Sequence, residues 1–370
     1  MASTTPYIFS ILFLLLSLTG LYHMHILPRQ LDIPINVSDI SLNGHLNIPF
    51  QHIKIPQHYT GLKPVDDVLA LLVSAFAHGA LRLEEDAFWQ QIHFLLGIFP
   101  LLAIFTIEAY RERNRGKLVS YTSVWALFYQ VLGGAVVIPL MNLCYVLAGA
   151  RQMGYLRVDR MVPGNVAEVL VPALLLGYLV PTLLMYLPFF SDRTTLYLVA
   201  FWQFSPIYVN VLIGVLGRQA GSLRLTRRKA APDVQHLKLV YIVSIAVAFV
   251  AHCFTISNVL LGRSGEASLV SIFVPSHSRS FQSTGQGFHF VFQWDWLVIA
   301  ISSITWAVYA IMEVQTELKA LSTEGNVKGL TILLAIHLLF EGPGGAVAAV
   351  WWWRDNALLE IERRAHEKIK

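Results

Sequence analysis

The chain has 370 residues, of which 55% are hydrophobic and only 14% charged, against about 25% charged in soluble domains. A water-soluble fold cannot hide that much apolar surface. The formal net charge of +4 is gathered in a few loops rather than along a face that could follow phosphates, which leaves nucleic-acid binding without support. Cys144 and Cys253, the two cysteines, each sit in an apolar run and frame neither a disulfide network nor a metal motif.

In chain order, runs long enough to span about 30 Å of hydrocarbon lie near 7–27, 90–110, 121–148, 165–187, 195–217, 237–261, 294–316 and 327–353. A ninth, 67–83, opens with Asp66 and Asp67, carries His78, and reads as a weak span, a re-entrant piece or an interfacial helix. The expected architecture is therefore all-α: one polytopic transmembrane helical bundle over 1–370 with about eight or nine segments. The first run lacks a basic flank and a small-residue cleavage site, so it reads as a retained anchor. The polar stretch 28–65 follows, with the acceptor triplet Asn36-Val37-Ser38 placing it on the lumenal side if Asn36 is glycosylated.

Basic residues cluster at Arg111, Arg113, Arg115 and Lys117, and again at Arg218, Arg224, Arg227, Arg228 and Lys229. Read as juxtamembrane anchors, both belong on the cytoplasmic side. The three runs between them contradict that, and orientation stays open. A second polar connection covers 262–292, and a short charged tail covers 354–370. No repeat of fixed period is visible, which disfavours an inverted-repeat transporter.

Ionisable groups at bilayer depth cost about 2.5–3.5 kcal/mol on insertion scales, so each is a functional candidate. Glu341 lies near the middle of the last run, with His337 one turn earlier on the same face. A carboxyl with such a partner can donate a proton and be re-protonated. Gly342-Pro343-Gly344-Gly345 follows and predicts a kink. In the preceding run Asp295, Ser302, Trp306, Tyr309 and Glu313 share a stripe. Asp295, between two tryptophans, reads as part of an interfacial belt, whereas Glu313 is a second candidate acid. Glu108 and Glu168 lie near run ends and read as interfacial. Trp202, Pro206 and Asn210 share a face at i, i+4, i+8, and His252 is near the middle of its run. These suggest a cavity lined by Trp306, Tyr309, Trp202, Asn210 and His252. Ring faces attract cations where water is excluded, and with 21 Phe, 14 Tyr and 9 Trp an aromatic cavity holding one acid would suit carbocation chemistry.

Asp66-Asp67 has no partner motif, so no DDxxD-type site for a metal-bound diphosphate is present, and a DxDD motif, di-iron histidine boxes, a P-loop and a nucleophile elbow are missing too. No metal or cofactor is expected. The span pattern, the stretch Trp294 to Glu317, and above all His337-Leu-Leu-Phe-Glu341-Gly-Pro-Gly-Gly345 leading into Trp351-Trp352-Trp353-Arg354 resemble the fungal membrane-bound terpene cyclases of the ascofuranone, or AscI-like, type. That resemblance implies metal-free cyclisation of a farnesyl-type chain on a meroterpenoid precursor, started by protonation of a terminal epoxide or olefin, in a secondary-metabolite pathway at the endoplasmic reticulum. The partners are then the bilayer and a prenylated small molecule. A proton-coupled carrier with His337 and Glu341 as relay is the alternative.

Overall fold

The computed structural model describes residues 4–35, 45–48, 51–150, 156, 159–224, 233–276, 281–320 and 327–367. Asn36 and the basic residues Arg227, Arg228 and Lys229 lie outside them. Helix α1 (Thr5–Leu21) continues through a wide turn over Tyr22–Ile26 to Gln30. A two-stranded antiparallel hairpin, β1 (His45–Ile48) and β2 (Gln51–Lys54), lies within the stretch read as a plain polar loop. The helices that follow are α2 (Lys63–Ala80), α3 (Glu85–Gly97), α4 (Phe99–Tyr110), α5 (Thr122–Leu132), α6 (Gly134–Ala150) and α7 (Leu170–Leu184). Then come α8 (Asp192–Trp202), α9 (Ser205–Arg224), α10 (Asp233–Leu260), α11 (Leu269–Phe273), α12 (Thr284–Ala320) and α13 (Val327–Glu367).

Among the described residues the fold is all-α apart from that hairpin. Five described segments are long and apolar enough to cross a bilayer: Thr5–Gln30, Glu85–Tyr110, Asp233–Leu260, Thr284–Leu318 and Gly329–Arg363. The pair α8 and α9, bent by 61°, would make a sixth. By length and composition alone the count falls below eight or nine, because several apolar runs are broken into shorter helices. Helix α2 is not among the five. Its Asp66 instead clamps the preceding turn by accepting from Thr60 N–H, Thr60 Oγ1 and Gly61 N–H, bonds that hold the carboxyl below the usual range.

Hydrogen bonds fix the helix directions. Asp233 at the start of α10 accepts from Val162 N–H, Asn165 donates to Gly217 near the end of α9, and Arg111 after α4 bonds both Arg160 O and Asp355. These termini form one end of the bundle, called here the basic end. At the opposite end Ser283 donates to Glu84, and His289 bonds Ser271 O. Helix α5 starts near the basic end, where Asn210 donates to Thr122 and Ser123, and stops far from it, where His25 bonds Leu132 O. Helix α6 returns: Asp295 accepts from Ala135 N–H, Asn142 donates to Ser302, and Tyr145 accepts from Arg354. The apolar run 121–148 is therefore two antiparallel helices. Gly133 makes the turn with φ 87°, a conformation open chiefly to glycine. Four apolar limbs rather than three now separate Lys117 from Arg218, an even number that places both basic stretches at the same end of the bundle.

Two further boundaries move. The connection expected over 262–292 contains α11 and gives way to α12 at Thr284, because Gln293 and His289 reach back to the carbonyls of 271–274. The tail expected from Arg354 is instead helix through Glu367, with Arg354 and Asp355 buried. At Gly133 a Cβ would also fall 2.3 Å from Met24 Cε. Gly133→Val is therefore expected to destabilise the bundle by about 1–3 kcal/mol, read as a lower unfolding midpoint in detergent micelles.

Candidate active site

Helix α13 breaks where glycine and proline predicted it. Gly342 has φ 70° and ψ −172°, which splits α13 into limbs 327–341 and 343–367. Just past the break, a Cβ on Gly344 would fall 2.0 Å from Gly97 O, so only glycine allows the second limb to lie this close to α3. Glu341 is the last residue of the first limb, and its Oε2 is 2.5 Å from His337 Nδ1. The predicted pair is formed. Ile336, Leu339 and Phe340 around it are exposed, as suits a lipid-facing limb, while Glu341 turns inward and is 12% exposed.

Inward of Glu341 is a chamber lined by His93, Phe94, His252, Trp296, Ser303 and Pro343, among others. His93 Nε2 lies 3.0 Å from His252 Nδ1, and His93 Nδ1 is buried with no protein partner. Two further chambers continue along α3 and α4. The middle one holds Asp295 among Phe76, Phe94, Tyr129, Tyr178 and Trp202, and the far one is lined by Phe105, Thr106, Thr122, Tyr178 and Asn210. Phe94, Ile98 and Ile299 are shared by the first two chambers, and Leu102, Tyr129, Tyr178 and Pro206 by the last two. Lining positions on α3 and α4 run from His93 to Thr106, about 20 Å of helical rise. The volumes are about 30, 50 and 30 Å³, far below the roughly 300–1,000 Å³ of an occupied small-molecule site. The three form a segmented tract whose dividing side chains must move to admit a long ligand.

A CtvD-domain signature matches residues 9–359. The chain belongs to the CtvD-domain family. It is 26% identical to a protein named terpene cyclase ascI from Acremonium egyptiacum, over 84% of this chain and 82% of that one. It is 27% identical to one named terpene cyclase DEP1 from Alternaria brassicicola, over 81% and 86%. Identity to one named terpene cyclase ctvD from Aspergillus terreus is 25%, over 72% and 76%. No solved structure matches.

In this member of the CtvD-domain family, the sequence-derived residues divide. His252, Trp202 and Asn210 line the first, middle and far chambers respectively. Trp306 and Tyr309 line none of these three and are core: Trp306 packs on Trp351 at 4.1 Å and Phe105 at 5.1 Å, and Tyr309 on Phe9 at 5.1 Å. Their stripe turns toward α1 and α6, while Trp296, Ile299 and Ser303, on another face of α12, meet the first chamber. Glu313 is not beside Glu341. It lies near Tyr309, Arg354 and Arg113. Asp295 is 6% exposed and caps the start of α6, so the interfacial-belt reading is overturned. His93 carries no signal in the sequence as a lone histidine, and only the packing of α10 brings His252 to it.

The larger correction concerns Glu108, Arg111 and Arg113, which are buried rather than interfacial. Glu108 accepts from Arg111 at 2.7 Å, Arg113 at 2.8 Å, and Arg354 and Trp351 at 3.1 Å. Arg111 also donates to both oxygens of Asp355 at 2.8 Å, and Tyr241 donates to Asp355 at 2.6 Å. Removing one member strands the others in a dry interior, which costs about 3–5 kcal/mol. Glu108→Gln is expected to abolish recovery of folded protein from detergent extracts, whereas the isolated surface change Lys63→Ala, which removes an exposed pair with Asp67, should leave recovery unchanged.

Proposed function

We propose that this chain is a membrane-bound terpene cyclase that cyclises a farnesyl-type chain on a meroterpenoid precursor by protonating its terminal epoxide or olefin, without metal. Glu341 is the proton donor, and His337 orients and re-protonates it. The observation that carries this reading is the Glu341–His337 pair at a helix break, facing a chamber that continues into an aromatic tract. The names of the relatives support it independently. Glu341 meets the reacting end of the prenyl chain, and the walls beyond supply ring faces for positive charge and keep out the water that would quench it. His93 and His252 offer ring nitrogens to the epoxide oxygen or its hydroxyl product. The far chamber, with Asn210, Thr122 and Thr106, offers the polar contacts a phenolic head group needs.

The same contacts support a membrane arrangement. Helix α12 and the limb 343–367 run side by side toward the basic end, with Trp306 on Trp351 and Glu313 near Arg354. From Ser303, which lines the chamber with Glu341, α12 rises about 25 Å to Ala320. The seven Cα steps from Ala320 to Val327 reach about 25 Å at most. A limb 327–341 continuing the line of 343–367 would put Val327 about 46 Å away, so this limb must double back from the basic end. Glu341 then sits at the inner tip of a re-entrant hairpin, where irregular backbone is tolerated because it lines a cavity. Eight passes precede the hairpin: α1, α3 with α4, α5, α6, α7, α8 with α9, α10 and α12. Both termini and the basic stretches face the cytosol, Asn36 faces the lumen, and the compartment is the endoplasmic reticulum.

Two measurements test these readings. Microsomes carrying the chain, fed a farnesylated phenol with a terminal epoxide, should convert it to a cyclic isomer. Glu341→Gln should lower turnover at least 10³-fold at unchanged expression, and near-normal cyclisation by that variant would refute Glu341 as the donor. For topology, glycosidase should increase the mobility of wild type but not of Asn36→Gln. An unshifted wild type, with a shift from an acceptor triplet inserted at 225–232, would reverse the orientation.

A further inference from the structure

Cyclisation needs two groups in different places. One gives a proton where the cascade begins, and the other takes a proton where it ends, because ring closure carries the charge along the prenyl chain. Across the three chambers the lining side chains include two carboxylates, Glu341 in the first and Asp295 in the middle one. Five aromatic rings, those of Phe76, Phe94, Tyr129, Tyr178 and Trp202, share the middle chamber with Asp295. Its oxygens accept from Ala135 N–H at 2.5 Å, with Gly134 N–H beside it, at the first turn of α6. The N–H donors of such a helix start favour the ionised form of the carboxylate against the cost of burying it, and that is the form able to take a proton released in this chamber. Phe94, Ile98 and Ile299 line both this chamber and that of Glu341.

We propose that Asp295 is the base that ends the cyclisation begun at Glu341, and hence a second catalytic residue. The proposal rests on the cyclase reading above. Glu341 O–H transfers its proton to the epoxide oxygen, and that C–O bond breaks to leave a hydroxyl. The π pairs of the chain then close C–C bonds in turn. At the last cation, the electrons of the adjacent C–H bond form a C=C bond while the proton passes to an Asp295 oxygen. The product is an isomer of the substrate. One proton has moved from Glu341 to Asp295, and exchange with solvent returns it.

Asp295→Asn separates this role from capping, because the amide oxygen of asparagine can still accept from Ala135 N–H but cannot take the proton. In the microsomal assay with the farnesylated phenol epoxide, Asp295→Asn should still consume substrate, within about tenfold of wild type. Its product should change from one alkene to a mixture of alkene isomers and the water-captured alcohol. Glu341→Gln should consume none. If Asp295→Asn does not accumulate, Asp295→Ser, whose hydroxyl oxygen is also a hydrogen-bond acceptor, takes its place. A wild-type product pattern from either folded variant would show that Asp295 only caps α6 and overturn the proposal. So would complete loss of consumption at wild-type thermal stability, which would make Asp295 the starting acid. A wild-type chain that leaves the substrate untouched would defeat the cyclase reading itself and this proposal with it.

Discussion

The buried ion network at the basic end is the constraint from which the rest of the arrangement follows. Three guanidiniums and two carboxylates, from Arg111, Arg113, Arg354, Glu108 and Asp355, are held in a dry interior. Each is tolerable there only with its partners in place. The network ties the end of α4 to the second limb of α13, and through Tyr241 to α10. With those three fixed in height, the close approach of Gly344 to Gly97 and of Gly342 to His252 follows. Glu341 is thereby carried to the mouth of the first chamber. A charge network about 13 residues along α13 from Glu341 thus sets the position of the acid.

The break at Gly342 serves the acid in a second way. A straight helix would have its carboxylate on a continuous hydrogen-bonded wall, facing either lipid or a neighbour. A left-handed glycine before a proline ends one limb and starts another, so Glu341 sits at a terminus with His337 behind it and a chamber ahead. The exposed apolar side chains of Ile336, Leu339 and Phe340 give the same limb the surface that the proposed access from lipid requires. Acid, partner and access to lipid therefore belong to a single short segment.

Aromatic residues do two jobs that composition cannot separate. One set, Trp306, Trp351, Phe105 and Tyr145, packs above the ion network and fills the core. The other set, Phe76, Phe94, Tyr129, Tyr178 and Trp202, walls the chamber of Asp295. Membership depends on which face of a helix meets a neighbour and which meets a gap, so the stripe through Trp306 and Tyr309 was a true helical face pointed at α1 and α6.

Membrane character, a nearly all-helical fold, the kink after Glu341 and the His337–Glu341 pair were legible in the sequence, because hydropathy, helical periodicity and glycine-proline chemistry act locally. The resemblance in 337–354 likewise led to the family. Tertiary structure decided what depends on contacts across many residues. Glu108 and Arg111 looked like interfacial groups until Asp355, 244 positions from Arg111, came within 2.8 Å. Asp295 looked like part of a belt until α6 began on top of it. The run 121–148 looked like one span because the pair Gly133-Gly134 in an apolar stretch barely changes its hydropathy, although the chain reverses there. Burial, pairing and direction are properties of the packed bundle. Sequence distance does not encode them, and they determine which acids can take part in chemistry.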